Sequence, residues 1–138
     1  MSVPKNKRSE GKLVVLTKAY EFASYTHQIC SNEKVFLKRN RWCSTQKIVS
    51  TADEIAVNVE LANNINIRNK TPEKIALRIE YQTLALKESI RLETLMEISY
   101  RDNNREGRHL PDDKFEYWIG LLLELRSIIR KWRDTTKG

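Results

Sequence analysis

The chain has few of the residues that interrupt or cross-link a fold. Its 138 residues include two cysteines, four glycines and three prolines. Two cysteines do not make a disulfide framework, so we expect Cys30 and Cys43 to be free, buried thiols in a reducing compartment. Because glycine and proline punctuate local structure, their scarcity favours long uninterrupted elements.

Long apolar runs are also missing. The longest, around Leu121 to Leu125, is far too short to span a bilayer. The first twelve residues are polar and basic, unlike a secretory signal peptide. We therefore expect a soluble, cytoplasmic protein with no membrane partner.

The sequence contains no Gly-rich phosphate loop, no HExxH and no CxxC. His27 and Cys30 are three residues apart and would share a helix face, but nothing in the sequence would orient them as a catalytic pair. His27 lies in an apolar stripe and has no second ligand at metal spacing, so we interpret it as a hydrogen-bonded core histidine. We expect no enzyme activity, no cofactor and no metal.

Apolar periodicity is the strongest pattern in the chain. It predicts four amphipathic helices, which run from Lys12 to Cys30, from the region 39–44 to Ile67, from Thr71 to Tyr100 and from Pro111 to Arg133. Hydrophobic residues make up 40% of the chain and charged residues 31%, as in a single globular domain. Short connections favour antiparallel neighbours. The predicted fold is all-α, an antiparallel up-down-up-down four-helix bundle over 12–133, with a loose basic tail at 1–11 and a flexible C-terminus at 134–138.

Two connections carry clear signals. Thr71 is a good N-cap and Pro72 fits the first helical position, which gives the clearest helix start in the chain. Arg101 to Leu110 reads as a polar loop rich in turn-forming residues.

Positive charge is the main functional signal, since the formal net charge is +7. That excess suits an acidic partner such as nucleic acid, although a merely soluble basic protein would also fit. In the predicted topology the first and third connections lie at the same end, where phosphate contacts could form. The candidate binding residues there are Lys34, Lys38, Arg39, Arg41, Arg101, Arg105, Arg108 and His109. Phe36 and Trp42 could stack on unpaired bases, and a tryptophan beside a helix start also fits a core anchor.

The segments KAYEFASYTHQIC and KVFLKRNRWCSTQKIVSTADEIAVNV, with the later IRLETLMEISY and WIGLLLELRSIIRKW, carry a family resemblance. The chain resembles the accessory variability determinant family of diversity-generating retroelements, which is related to bundle proteins encoded in ribosomal RNA intervening sequences. The similarity covers nearly the whole chain, and its distinctive part is the loop-to-helix junction. Leu37 stands where the family pattern suggests proline, which removes a rigid φ angle.

This resemblance implies a basic homo-oligomer, typically a pentamer. Such a protein binds the reverse transcriptase and template RNA, or an RNA–DNA hybrid, and supports mutagenic cDNA synthesis without doing chemistry itself. Lys38, Arg39 and Arg41 match the family's basic junction. The alternative is a structural homo-oligomeric interaction protein with no nucleic-acid role, for which exposed apolar residues at Val57, Leu61, Ile98 or Leu123 would serve.

Overall fold

The computed structural model describes residues 3–32, 35–36, 45–69, 71–105 and 110–138, with side chains described from residue 14 onward except at 103–105. These residues form four helices: α1 (Val3–Ser31), α2 (Gln46–Asn63), α3 (Pro72–Arg105) and α4 (Asp112–Lys137). The described ranges contain no strand. None of the helices within them is both long and apolar enough to cross a membrane.

Each helix packs against the next one in the chain, and α4 packs against α1 to close the ring. Cross-helix pairs show the directions: Tyr20 bonds Glu60, and His27, further along α1, bonds the earlier Asp53 on α2. On α3 and α4, too, later residues of one helix pair with earlier residues of the other. The fold is therefore the expected all-α, antiparallel up-down-up-down four-helix bundle.

The core is a continuous apolar column contributed by all four helices. Burying one such side chain contributes roughly 1.5–3 kcal/mol, so this column supplies most of the driving force for folding. Its most buried members include Phe22, Ile48, Ile55, Val59, Leu92, Met96, Trp118, Leu122, Leu125 and Ile129.

The outer helices are longer than the sequence predicts. The first helix begins at Val3 rather than near Lys12, so most of the expected loose tail is helical. Pro4 fits because the first turn of a helix needs no backbone donor, and Gly11 costs only about 1 kcal/mol inside a helix. The last helix continues past Arg133 to Lys137, through the segment expected to be a flexible C-terminus.

The start of α3 agrees with the prediction, whereas its end does not. Its start is confirmed, because the Lys74 N–H donates to the Thr71 hydroxyl at 3.2 Å as an N-cap does. Its end lies at Arg105, so the polar segment after Tyr100 begins as helix. Tyr100 stacks on Phe115 with ring centroids 4.0 Å apart, and this tertiary contact outweighs weak local propensity.

The second helix ends earlier than predicted, at Asn63 rather than Ile67. The Asn64 N–H still donates to the Glu60 carbonyl, and the chain then leaves the helix through a run of asparagines. Asparagine is a weak helix former that favours turns, which accounts for the early end. The predicted start, in 39–44, lies outside the described residues.

Gly120 offers a simple stability test. It lies in the middle of α4, is exposed, and an added Cβ would meet no atom within 4 Å. Gly120→Ala should therefore raise the free energy of unfolding by about 0.5–1 kcal/mol, since it restricts the unfolded chain without a clash. Urea denaturation followed by circular dichroism measures the change, and a destabilised variant would mean that this surface is covered by something.

Candidate interaction surfaces

The first and third connections meet at one end of the bundle, as the topology predicted. Asn32 and Val35 of the first connection and Leu110 of the third line a shared cavity of about 270 Å³, with Lys114 at its edge. We call this the junction end. The described parts of two connections that are far apart in the sequence therefore lie at the same end of the bundle.

Of the eight candidate binding residues, Arg101 is the one whose side chain is described, and it is exposed on the last turns of α3. Arg105 belongs to the end of α3, and its side chain is outside the described part of the chain. Six candidates lie outside the described residues, and their part in binding stays a prediction: Lys34, Lys38, Arg39, Arg41, Arg108 and His109.

The aromatic residues of the junction end divide into two cases. Phe36 is only 4% exposed and packs edge-on against Trp118, with ring centroids 6.5 Å apart. The prediction that Phe36 could stack on bases was wrong, because its ring is buried in the core, where it covers Trp118. Trp42 lies outside the described residues.

The opposite end of the bundle, which we call the far end, is formed by the α2–α3 connection and the C-terminal turns of α4. Lys74 is half-buried there, and four further cations are exposed: Arg68, Arg130, Lys131 and Lys137. Positive charge therefore lies at both ends of the molecule. Cations near the C-terminus of α4 also stabilise that helix, so part of this cluster has a structural explanation.

Arg78 is a buried cation of the far end that the sequence did not indicate. It is 1% exposed, its Nε donates to the Ala62 carbonyl at 3.1 Å, and an Nη donates to the Ile65 carbonyl at 2.6 Å. Its guanidinium carbon lies 5.6 Å from the centroid of the Trp132 ring. Burial lowers the pKa of this guanidinium. The side chain satisfies carbonyls where α2 ends and joins α2, α3 and α4.

A groove runs along the outer side of the α1–α2 pair. Its first cavity, of about 460 Å³, opens near the junction end, and its second, of about 200 Å³, lies towards the far end. The first is lined by His27, Cys30, Ser31, Thr45, Gln46 and Val49. The second is lined by Tyr20, Ala56, Val57, Glu60 and Leu61. We call these the upper and lower cavities of the α1–α2 groove.

His27 lies on this groove and not in the core. Its side chain is 51% exposed, and its Nε2 pairs with the Asp53 carboxylate at 2.7 Å. The expected hydrogen bond is confirmed, but the expected burial was wrong. Tyr20, seven residues before His27 and so at the helical spacing of the same predicted stripe, is 49% exposed and donates to Glu60 at 3.1 Å. The predicted apolar stripe of α1 was therefore too wide, because the residues at its edge are exposed to solvent.

Cys30 is a buried free thiol, as predicted, whereas Cys43 lies outside the described residues. Burial raises the pKa of the Cys30 thiol to about 12. At neutral pH the thiol therefore stays protonated, unlike that of a reactive cysteine. His27 is bonded to Asp53, so the geometry is not that of a base activating this thiol.

The groove is also where the negative charge of α2 is exposed. This helix carries three carboxylates, Asp53, Glu54 and Glu60, against one cation, Lys47. In a chain with a net charge of +7, this makes the α2 surface opposite in sign to the chain as a whole and to the far end. The sequence analysis did not predict this difference in charge, although the excess of acidic residues over lysine is evident in the sequence of α2.

Comparisons with family models, with curated proteins and with solved structures found no match to this chain. In the part of the chain that the structure describes, no group of three His, Cys, Asp or Glu side chains is arranged to hold a metal ion.

Proposed function

We propose that the protein is a non-catalytic basic accessory factor of the accessory variability determinant family. In this proposal it acts in the cytoplasm, binds a retroelement reverse transcriptase and its template RNA, and supports mutagenic cDNA synthesis. Two things support it: the resemblance of the sequence segments, and the meeting of the first and third connections at the junction end. That meeting carries the proposal, because Arg101 is exposed on the last turns of α3, which lead into the third connection, and Lys38, Arg39 and Arg41 belong to the sequence of the first connection.

The physical mechanism is electrostatic. Phosphate contacts dominate the affinity of nucleic-acid binding that does not depend on sequence, and each contact releases condensed counterions. A cluster of cations at one end of a rigid bundle holds the RNA backbone without reading its bases. The sides of the bundle remain free for the polymerase, so the two partners need not compete.

Changing Lys38, Arg39 and Arg41 together to Glu should weaken binding to a single-stranded RNA by more than tenfold at 0.1 M salt. The loss arises from removing about three phosphate contacts and adding repulsion. For a single strand, the slope of log K against log salt should become shallower by about 2. Filter binding or fluorescence anisotropy across a salt titration measures both quantities.

The matched control is K87E/R91E, which reverses two exposed cations on the side of α3. It should lose much less affinity per reversed charge than the triple variant. An equal loss per charge would show that net charge alone is responsible, and an unchanged RNA affinity across the titration would refute the proposed site.

The second candidate function is a homo-oligomeric interaction bundle with no nucleic-acid role. It is favoured by one observation: all four off-seam residues expected to be exposed are exposed, at 47% for Val57, 40% for Leu61, 51% for Ile98 and 42% for Leu123. Light scattering with and without RNA separates the two functions, because an oligomer that forms identically and ignores RNA fits only this alternative. The same light-scattering measurement tests whether the chain forms the pentamer that the resemblance implies.

A further inference from the structure

The two cavities of the α1–α2 groove have a spacing that corresponds to whole helical turns. Gln46 lines the upper cavity and Val57 the lower one, eleven residues further along the same helix. Eleven residues span about 16 Å and make about three turns. A second helix lying along this groove would therefore place residues i and i+11, which share one face, into the two cavities.

The cavities suit apolar side chains. The exposed atoms that line them are mostly apolar, and the lower cavity holds Val57 at 47% exposed and Leu61 at 40% exposed. Side chains that enter such cavities gain both the removal of apolar surface from water and close contact with the walls. These are the anchor positions of a helix-in-groove complex.

The charges between and beside the cavities indicate the kind of helix. Asp53 lies between the two cavities, Glu60 borders the lower one, and Glu54, the residue after Asp53, is exposed. His27 and Tyr20 occupy one oxygen each of Asp53 and Glu60, at 2.7 Å and 3.1 Å, and a carboxylate accepts more than one donor. Nucleic acid would be repelled here, whereas Lys or Arg on a docking helix would be attracted.

We propose that the α1–α2 groove docks an amphipathic helix of a basic partner protein, with apolar anchors at i and i+11 and cations at i+4 and i+7. This inference rests on the proposed accessory function in one respect only, which is that the chain has a protein partner. RNA plays no part in it. The groove gives the protein an acidic, apolar side for a protein partner, separate from the junction end that we propose for phosphate.

The test uses a synthetic 18-residue helical peptide with Leu at i and i+11 and Lys at i+4 and i+7. Two control peptides have Glu in place of both Lys residues, or have the second Leu at i+9, which lies on the opposite helix face. Fluorescence anisotropy of labelled peptides against the full chain, without RNA, should show at least fivefold tighter binding of the first peptide than of either control. Equal binding of all three, or none, would overturn the proposal.

A variant of the chain tests whether the peptide binds at the α1–α2 groove. V57K/E60K replaces an exposed apolar anchor and a rim carboxylate, and should weaken peptide binding by at least fivefold. The matched control is L123K/E116K, which likewise changes one exposed apolar residue and one carboxylate to Lys, but on α4, and should leave binding unchanged. Circular dichroism confirms that both variants fold. If both variants lose binding equally, the groove is not the site.

Two other occupants of the groove would each give a distinct result, and each would overturn the proposal. If a second copy of the chain docks there, light scattering will show self-association that V57K/E60K abolishes and the peptide competes with. If the chain's own segment 37–44 fills the groove, the peptide will bind only after Leu37 and Trp42 are changed to Ala. A failure of RNA binding in the junction-end experiment leaves all of these outcomes unaffected.

Discussion

Truncation of Trp118 to alanine is expected to lower the free energy of unfolding by about 4 kcal/mol, the usual cost of removing a buried tryptophan. Trp118 is 1% exposed, and its ring lies edge-on to Phe36 and to Phe115. Its indole N–H donates to the Thr26 hydroxyl at 3.0 Å. One side chain therefore joins α4 to α1 and to the first connection, and its loss leaves a cavity bordered by all three.

The polar part of this contact can be separated from the packing part. Trp118→Phe keeps most of the ring and removes the N–H, whereas Thr26→Val removes the acceptor and leaves the indole N–H without a partner. A buried donor left without a partner costs about 1–3 kcal/mol. Because both changes remove the same hydrogen bond, their effects should not add, and the double variant should be more stable than the sum predicts.

Chemical denaturation of the four variants supplies these free energies, with Glu116→Ala as a control. Glu116 is exposed two residues before Trp118, and its removal should change stability by less than about 0.5 kcal/mol. Full additivity of the Trp118 and Thr26 variants would show that the hydrogen bond does not contribute to stability. A cost of Trp118→Ala near that of Glu116→Ala would contradict the burial of the ring.

Replacing Arg78 by methionine should lower the free energy of unfolding by about 2 kcal/mol. Methionine keeps much of the packing but has no donor, so the Ile65 carbonyl loses its bond to the guanidinium. The Ala62 carbonyl is less affected, since it also accepts from the Ile65 N–H at 3.2 Å. Removing a buried charge returns some desolvation free energy, which is why we expect about 2 kcal/mol and not the larger cost of a broken ion pair.

Arg91→Met is the control for this change, because Arg91 is an exposed arginine on the same helix. It should alter stability by less than about 0.5 kcal/mol. A second readout is hydrogen exchange of the Ile65 N–H and its neighbours at the end of α2, which should speed up in Arg78→Met and not in Arg91→Met. If Arg78→Met is as stable as the parent chain, the guanidinium does not stabilise the end of α2.

The fold was predictable because the apolar periodicity of all four segments agreed with it. Apolar residues recur at helical spacing in all four segments, and Thr71 with Pro72 marks a start that the structure confirms through the Lys74 N–H. The boundaries were less predictable where tertiary contacts decide them. Tyr100 packs on Phe115, and α3 therefore continues through asparagines that by themselves indicate a loop.

The surfaces were harder to predict, because periodicity shows that a helix has an apolar side but not how wide that side is. Leu77 and Leu84 have the helical spacing of an apolar seam on α3, yet they are 40% and 36% exposed. Arg78 was missed for the opposite reason, since a lone arginine on a helix normally indicates a solvated position. Its burial depends on carbonyls presented by the end of a different helix, and no pattern within α3 reports them.

The hydrogen bonds of Arg78 also bear on the order in which the bundle assembles. They join residues only 13 and 16 positions apart, so they close a short loop of chain at a small entropic cost. The contact between α1 and α4, by contrast, joins residues such as Thr26 and Trp118, which are 92 positions apart. Local pairings form sooner than distant ones, so the α2–α3 hairpin should act as the folding nucleus on which the terminal helices condense.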